Sequence, residues 1–267
     1  MIHLILLWSF GTGWMVSSLA GDGLLGVASF ANCFYLLHWN GTLALKYCPG
    51  TRTLSVSVTE TNGTYAFLTD RGVYLIHSKN VNFVKCNCTA SLPTDRGLIA
   101  CTKDGTLLGP GWRTRLACNW LTLWGSRLVA VSNNSTFVID IRTGKVLKVF
   151  EIGGHFAATC NNFLAISSNN AVYLFRDHRI VAKFTNLTYP AELAFSDHCK
   201  FLALTDAYRG RLIILNVTDG KVVFTKTFTF FAERCPVSLF AVAWKGDKLV
   251  VGRGDGWVEA YEVKGLG

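Results

Sequence analysis

Short runs of apolar and β-branched residues, each of ordinary strand length, follow one another along most of the chain and are separated by polar turns. The pattern is clearest over residues 191–228, where Asp219-Gly220 marks a tight hairpin. The strands predicted there are at residues 191–195, 201–205, 211–216 and 221–226. We interpret this stretch as an antiparallel meander of about forty residues.

The meander recurs from one end of the chain to the other, and the unit over residues 86–114 is the shortest. Four strands repeated at a spacing of about forty residues are typical of a β-propeller. We therefore predict an all-β fold with one domain, residues 1–267, forming a single seven-bladed β-propeller of four-stranded antiparallel blades. The blades are predicted at residues 11–47, 48–85, 86–114, 115–150, 151–184, 185–228 and 229–263.

Ring closure also follows from the pattern. The last unit ends after its third strand, whereas the chain begins with a strand-like run at residues 2–10 that has no partner nearby in sequence. We predict that this N-terminal strand pairs into the last blade as its outer strand. Such pairing would leave no blade with an open edge.

The first unit contains residues that resemble a known family. It carries Trp8-Ser-Phe, Leu24-Leu-Gly-Val-Ala-Ser29, Phe34-Tyr-Leu-Leu-His-Trp-Asn-Gly41 and Leu45-Lys-Tyr47. These stretches look like blades of the WD40/YVTN and quinoprotein-like propellers, and the resemblance is weakest over residues 86–114. It implies the architecture and, for the quinoprotein type, a bound quinone, which no adjacent cysteine pair supports. No blade has the family's Trp-Asp strand ending or its Gly-His pair, so the resemblance implies no particular activity.

The N-terminus and the sequons favour different locations. Residues 1–20 resemble a secretory signal but lack a positively charged start, and Gly11-Thr-Gly13 interrupts the apolar run. No other run approaches the roughly 18 apolar residues of a membrane helix, so we expect a cytoplasmic protein with no membrane segment. Several Asn-X-Ser/Thr sequons favour the extracellular alternative, although Asn-Gly-Thr is also a common hairpin sequence. The sequon asparagines are Asn40, Asn62, Asn87, Asn133, Asn134, Asn186 and Asn216.

The nine cysteines are odd in number and irregularly spaced, which is not the pattern of a secreted disulfide framework. Three of them lie in or beside apolar runs and are expected to be free thiols of the core: Cys101, Cys118 and Cys160. Cys86-Asn-Cys88 is too closely spaced for a usual zinc knuckle. A disulfide from this pair, for instance to Cys48 or Cys101, is the interpretation that we prefer.

Lysines recur at one position of the repeat, near the ends of the outer strands. A charge there prevents one exposed strand edge from pairing with another. We therefore interpret these lysines as protection of the blade edges and not as a binding site. They are Lys46, Lys85, Lys148, Lys183 and Lys226.

Arginines instead gather in the loops between second and third strands and in those between blades, which share one rim of a propeller. The planar arginine fork suits phosphates, carboxylates and aromatic rings, and a basic rim with aromatic residues fits an acidic protein surface or nucleic acid. The opposing interpretation is internal pairing, as of Asp70 with Arg71 or of Asp206 with Arg209. The predicted partner-binding residues are Arg52, Arg71, Arg113, Arg115, Arg209, Arg211, Arg234, Arg253, Trp14, Trp112 and Tyr208.

Catalytic motifs are absent from the sequence: there is no Gly-X-Ser-X-Gly elbow, Walker loop or dinucleotide fingerprint, and the histidines have no paired metal spacing. We therefore predict a non-catalytic interaction scaffold, monomeric outside its complex, with no cofactor or metal. Its rim would bind a protein partner or, as the other option, nucleic acid or a ribonucleoprotein. The alternative function is a propeller enzyme or small-ligand binder, of hydrolase or quinoprotein type, working in the central funnel.

Overall fold

The computed structural model describes residues 2–50, 53–230 and 235–265. Within these ranges the regular secondary structure consists of β-strands and one short 3₁₀ turn, which joins two strands. No helix among the described residues is long and apolar enough to cross a membrane.

The strands form blades in chain order, except that the first strand, β1 (His3–Gly11), belongs to the last blade. Blade 1 consists of β2 (Val16–Ala20), β3 (Leu25–Ser29), β4 (Phe34–Leu37) and β5 (Leu43–Tyr47). Blade 2 consists of β6 (Ser55–Thr61), β7 (Thr64–Thr69), β8 (Gly72–His77) and β9 (Asn80–Lys85). Blade 3 consists of β10 (Cys88–Thr94), β11 (Gly97–Thr102), β12 (Thr106–Gly109) and β13 (Trp112–Arg115). Blade 4 consists of β14 (Trp120–Trp124), β15 (Arg127–Val131), β16 (Thr136–Asp140) and β17 (Val146–Phe150).

The second half of the chain continues the same order. Blade 5 consists of β18 (Phe156–Cys160), β19 (Phe163–Ser167), β20 (Val172–Arg176) and β21 (Arg179–Phe184). Blade 6 consists of β22 (Pro190–Phe195), β23 (Phe201–Asp206), the 3₁₀ turn η1 (Ala207–Arg209), β24 (Arg211–Asn216) and β25 (Val222–Thr227). Blade 7 consists of β26 (Leu239–Lys245), β27 (Lys248–Arg253) and β28 (Trp257–Lys264), with β1 as its outer strand.

Seven four-stranded antiparallel sheets stand in a ring, so the predicted fold class is confirmed. The predicted closure is confirmed as well, because β1 pairs with β28 from His3 opposite Lys264 to Gly11 opposite Trp257. One bulge, between Leu6 and Trp8, interrupts this pairing. The first and last strands therefore share one blade.

The core lies between neighbouring blades. The middle strands of a blade are buried on both faces, which explains why β3 and β4 are buried along their whole length and mainly apolar in sequence. Phe34 of blade 1 stacks on Phe67 of blade 2 with ring centroids 4.9 Å apart, an arrangement favourable for aromatic pairs. The outer strands are more exposed to solvent than the middle strands, and Ile180 of β21 is 52% exposed.

The outer-strand lysines make a contact that the sequence pattern did not predict. All of them except Lys85 stand over aromatic rings: Lys148 lies 5.2 Å from the ring centre of Phe150, and Lys183 lies 5.1 Å from that of Tyr173. Lys226 stands 4.3 Å from the ring centre of Tyr261. Such cation–π contacts contribute about 0.5–1 kcal/mol at exposed sites. These contacts give the lysines a structural role in covering aromatic rings, and protection of the blade edges stays a prediction.

The expectation of free core thiols is wrong. Four disulfides are present, and they join Cys33 to Cys48, Cys86 to Cys88, Cys101 to Cys118, and Cys160 to Cys199. The partners predicted for Cys86 and Cys88 are also wrong, since these two pair with each other. Cys33 and Cys48 meet because they flank the paired residues Phe34 and Tyr47 of one hairpin, whereas Cys160 and Cys199 meet because blades 5 and 6 are neighbours. Cys235 is free and exposed.

Candidate interaction surface

The connections between blades and the turns between second and third strands lie on one face of the ring, here called the upper face. The remaining turns form the lower face. Four aromatic side chains cross blades 5 to 7 on the upper face, and we call them the aromatic row: His155, Tyr189, Tyr208 and Phe240. Successive ring centroids are 5.3, 5.2 and 6.2 Å apart. Tyr208 is 61% exposed, so the row presents its centre to solvent.

A buried carboxylate fixes this row in place. Asp206, at the end of β23, is inaccessible to solvent, and its Oδ1 accepts the backbone N–H groups of Thr188 at 2.9 Å and Tyr189 at 3.0 Å. The connection that carries Tyr189 is thereby held beside the turn that carries Tyr208. A buried carboxylate without hydrogen bonds is energetically costly. Asp206 therefore stabilises the conformation in which Tyr189 lies beside Tyr208.

A glycine permits the turn next to Tyr208. Gly210 has φ +57°, a left-handed conformation that costs other residues energy. A Cβ atom at this position would also lie 2.3 Å from the carbonyl oxygen of Val237. The chain therefore turns tightly and places Tyr208 and Arg209 at its exposed tip.

Arg209 and Arg211 flank the row and have different roles. Arg211 forms an ion pair of 2.6 Å with Asp206, so the predicted pairing of Asp206 with Arg209 is wrong. Both guanidinium groups also donate to the carbonyl oxygen of Asn186, at 3.2 Å from Arg209 and 3.3 Å from Arg211. Arg209 is exposed and keeps a positive charge available beside the row.

Arg253 belongs to the interior, which corrects its predicted place on an accessible rim. It is only 4% exposed and forms ion pairs of 2.6 Å with both Asp255 and Glu259. Burial alone would lower the pKa of Arg253, but these carboxylates outweigh burial and raise the pKa above its ordinary value. The hydroxyl of Tyr261 donates to Glu259 and completes the cluster. Arg253 therefore joins β27 to β28.

The other predicted residues are dispersed. Arg71 is exposed in the upper turn of blade 2, and its neighbour Asp70 accepts the N–H of Leu54 at 3.0 Å. Arg113 and Arg115 are exposed on β13, the outer strand of blade 3, and not in a loop of the rim, which corrects their predicted position. None of these three adjoins the aromatic row.

The two predicted tryptophans also lie apart. Trp14 is 60% exposed on the upper connection from β1 to β2. Trp112 begins β13 at the lower face, where its indole N–H donates to the carbonyl oxygen of Ile141 at 3.0 Å. Its predicted rim position is wrong, because the outer strand already starts at this residue. Arg52 and Arg234 lie outside the described residues.

A buried acid at the centre of the ring was missed from sequence. Glu192 of β22 accepts the N–H groups of Leu19 and Val242, both at 3.1 Å, and the hydroxyl of Ser18. Ser18 in turn accepts the N–H of Val58 at 3.2 Å. Burial raises the pKa of Glu192 to about 8, although these hydrogen bonds act to lower it. The network joins the inner strands of blades 6, 7, 1 and 2.

The described part of the chain contains no group of three or more His, Cys, Asp or Glu side chains placed to hold a metal ion.

The chain is thus a seven-bladed β-propeller with one aromatic row on its upper face. No family model matches the chain, and no curated protein matches its sequence. Among solved structures it is similar to the computationally designed Ika8 protein, with a TM-score of 0.66 and 13% identity. The similarity covers 96% of this chain and 99% of that protein. At this identity it shows the fold alone, which serves both interaction scaffolds and enzymes.

Proposed function

We propose that this propeller is a non-catalytic interaction scaffold and that it binds a protein partner through the aromatic row and Arg209. The observation that carries the proposal is the exposed centre of the row, held in position by buried Asp206. Tyrosine and arginine dominate the binding energy of many protein interfaces. A tyrosine also loses little conformational entropy on binding, and prior fixation of its loop reduces that cost further.

The partner surface is acidic in this proposal. The chain carries a formal net charge of +9, and Arg209 offers its guanidinium next to the most exposed ring. Nucleic acid is the weaker candidate, because stacking on bases needs free ring faces. Within the row, His155 and Tyr189 already stack on each other at an interplanar angle of 27°.

The alternative of a ligand in the central funnel is less well supported. Glu192, the buried carboxylate of β22, is committed to hydrogen bonds with β2 and β26, and Ser18 extends the network to Val58 of β6. This favours the interaction scaffold over a hydrolase or quinoprotein type that would use the central funnel.

The disulfides lead us to propose an extracellular location in place of the expected cytoplasmic one. Disulfides persist in oxidising compartments and, among intracellular proteins, mainly in those of hyperthermophiles. Four of them, together with exposed sequon residues such as Asn40, Asn62 and Asn87, favour the extracellular alternative over the cytoplasm.

Affinity purification with matched baits tests the function. The baits are the tagged wild type, the double variant Tyr208→Ala/Arg209→Ala, and a control, Arg179→Ala/Ile180→Ala, which removes an exposed arginine and an exposed apolar residue from outer strand β21. We expect the wild type and the control to capture the same acidic protein. The row variant should bind it about 30-fold more weakly, as for a hot spot worth 2 kcal/mol.

Two results would contradict the proposal. Equal capture by all three baits would show that the row is not the interface. Loss of the partner after nuclease treatment would show that nucleic acid bridges it, which would favour the ribonucleoprotein interpretation.

A further inference from the structure

A cavity of about 320 Å³ opens on the lower face among blades 2, 3 and 4. It is lined by residues at the lower ends of the three blades: 61 and 62 of blade 2, 94–96 of blade 3, and 123, 125, 126, 141 and 142 of blade 4.

Two arginines line this cavity, Arg96 from the turn of blade 3 and Arg142 from that of blade 4. Their backbones are fixed: the N–H of Arg96 donates to Thr94 Oγ1 at 3.3 Å, and the N–H of Arg142 donates to Asp140 Oδ1 at 2.8 Å. Neither guanidinium has a hydrogen bond or an ion pair with a residue in the described ranges; Arg142 interacts electrostatically with the carboxylate of Asp140 without forming an ion pair. Both positive groups are therefore available to a ligand.

The acid within the cavity is already engaged, and the wall is partly apolar. Asp95 accepts the side-chain amide of Asn62 at 2.7 Å. Leu123 and Ile141 line the cavity from blade 4, and Trp112 holds the backbone of Ile141 in place through its indole N–H. Arginine forks facing an apolar wall suit a carboxylate or a phosphate attached to an apolar group.

We infer that this lower-face cavity is a binding site for a small organic anion, a carboxylate or a phosphate ester with an apolar group. Its volume lies at the lower end of the range of small-molecule pockets, which limits the ligand to one ring or a short chain. Arg96 and Arg142 bind the anion, and Leu123 and Ile141 cover the apolar part. This site is separate from the upper-face row and does not depend on it.

Calorimetric titration with defined probes tests the site. Phenyl phosphate and benzoate carry both features, benzyl alcohol lacks the charge, and inorganic phosphate lacks the ring. We expect the first two to bind with one-to-one stoichiometry and the last two at least 10-fold more weakly. Arg96→Gln and Arg142→Gln should each weaken phenyl phosphate binding at least 10-fold. Arg113→Gln, which removes an exposed arginine from the outer strand of the same blade, should not change it.

The outcomes separate this site from charge alone and from the upper face. Equal losses in Arg96→Gln and Arg113→Gln would mean diffuse attraction to a basic protein and would overturn the inference. Absence of binding by both phenyl phosphate and benzoate at millimolar concentration would overturn it too, as would equal binding of benzyl alcohol. The row variant Tyr208→Ala/Arg209→Ala should bind the probes like the wild type.

Discussion

Replacement of Glu192 by Gln should remove a pH dependence of folding stability that this buried carboxyl imposes. Its pKa is about 8 in the native protein, against 4.5 for an ordinary glutamate. Between these two values the native state holds a proton that the unfolded state has released. The free energy of unfolding must therefore fall as pH rises through this window, and it should level off above about pH 8.

The magnitude follows from the width of the window. Each unit of pH within it changes the free energy of unfolding by about 1.4 kcal/mol. Between pH 5 and pH 8 the loss attributable to Glu192 is then about 4 kcal/mol. His178 acts in the opposite direction, because burial lowers its pKa and its contribution to stability rises with pH. Comparison of the wild type with a variant at residue 192 cancels that effect.

Gln is a close substitute for the neutral form of Glu192. Its amide oxygen can accept the N–H groups of Leu19 and Val242, and its NH₂ group can donate to Ser18. Glu192→Gln should therefore match the wild type near pH 5 and exceed its stability by about 4 kcal/mol at pH 8. Glu192→Ala leaves two buried amides without a partner and should be less stable at every pH, by roughly 1–3 kcal/mol for each amide.

Urea unfolding followed by circular dichroism, at intervals from pH 5 to pH 9, measures this difference. Glu151→Gln, at an exposed position on the upper face, serves as the control and should follow the wild type throughout. Parallel profiles for the wild type and Glu192→Gln would refute the reasoning, because they would show that Glu192 does not carry its proton to higher pH in the native state.

One deletion and two sets of substitutions test the ring itself. Deletion of residues 1–10 removes the outer strand of blade 7 and exposes the edge of β28, so we expect aggregation in size-exclusion chromatography; a monomer with an unchanged melting temperature would contradict the closure. Cys160→Ser/Cys199→Ser removes a disulfide of sequence separation 39 between blades 5 and 6 and should lower the free energy of unfolding in urea by about 4 kcal/mol. Cys86→Ser/Cys88→Ser removes a disulfide that closes a much shorter loop and should lower it by only about 1 kcal/mol. Arg253→Met leaves Glu259 without its buried ion-pair partner and should lower the free energy of unfolding by about 3–5 kcal/mol. The control Arg71→Met, at an exposed turn, should change it by no more than about 0.5 kcal/mol. Equal losses in the two variants would mean that the ion pairs of Arg253 do not stabilise the fold.

The fold could be predicted because burial in a propeller is repeated in every blade. Middle strands of a blade, such as β23, are buried throughout and mainly apolar, outer strands such as β21 are largely exposed, and turns of glycine and polar residues separate them. The lone first strand predicted closure for the same reason, since an outer strand without a blade can only pair with a blade that lacks one.

The central carboxyl could not be predicted in this way. Glu192 lies within the apolar run of β22, and its partners on β2 and β26 are remote in sequence. A single acidic residue in an otherwise buried inner strand was the only signal available. Disulfide pairing failed for a related reason: Cys160 and Cys199 meet because blades 5 and 6 are neighbours, which spacing alone does not reveal.

Arginines illustrate why composition alone located the candidate surface only in part. Arg253, Arg211 and Arg209 all lie in or next to the turns that follow second strands, yet their surroundings differ. Arg253 has two carboxylates within 2.6 Å, and Arg211 has one, so contact with a partner would require loss of those pairs. Truncation of one member of a buried pair is costly, and such arginines therefore serve the fold. Arg209, Arg96 and Arg142 form no ion pair within the described ranges, while fixed backbones hold their loops in place. A ligand can bind an arginine whose loop is fixed and whose guanidinium has no ion-pair partner. The positions of the neighbouring acidic residues determine which arginines are left without such a partner.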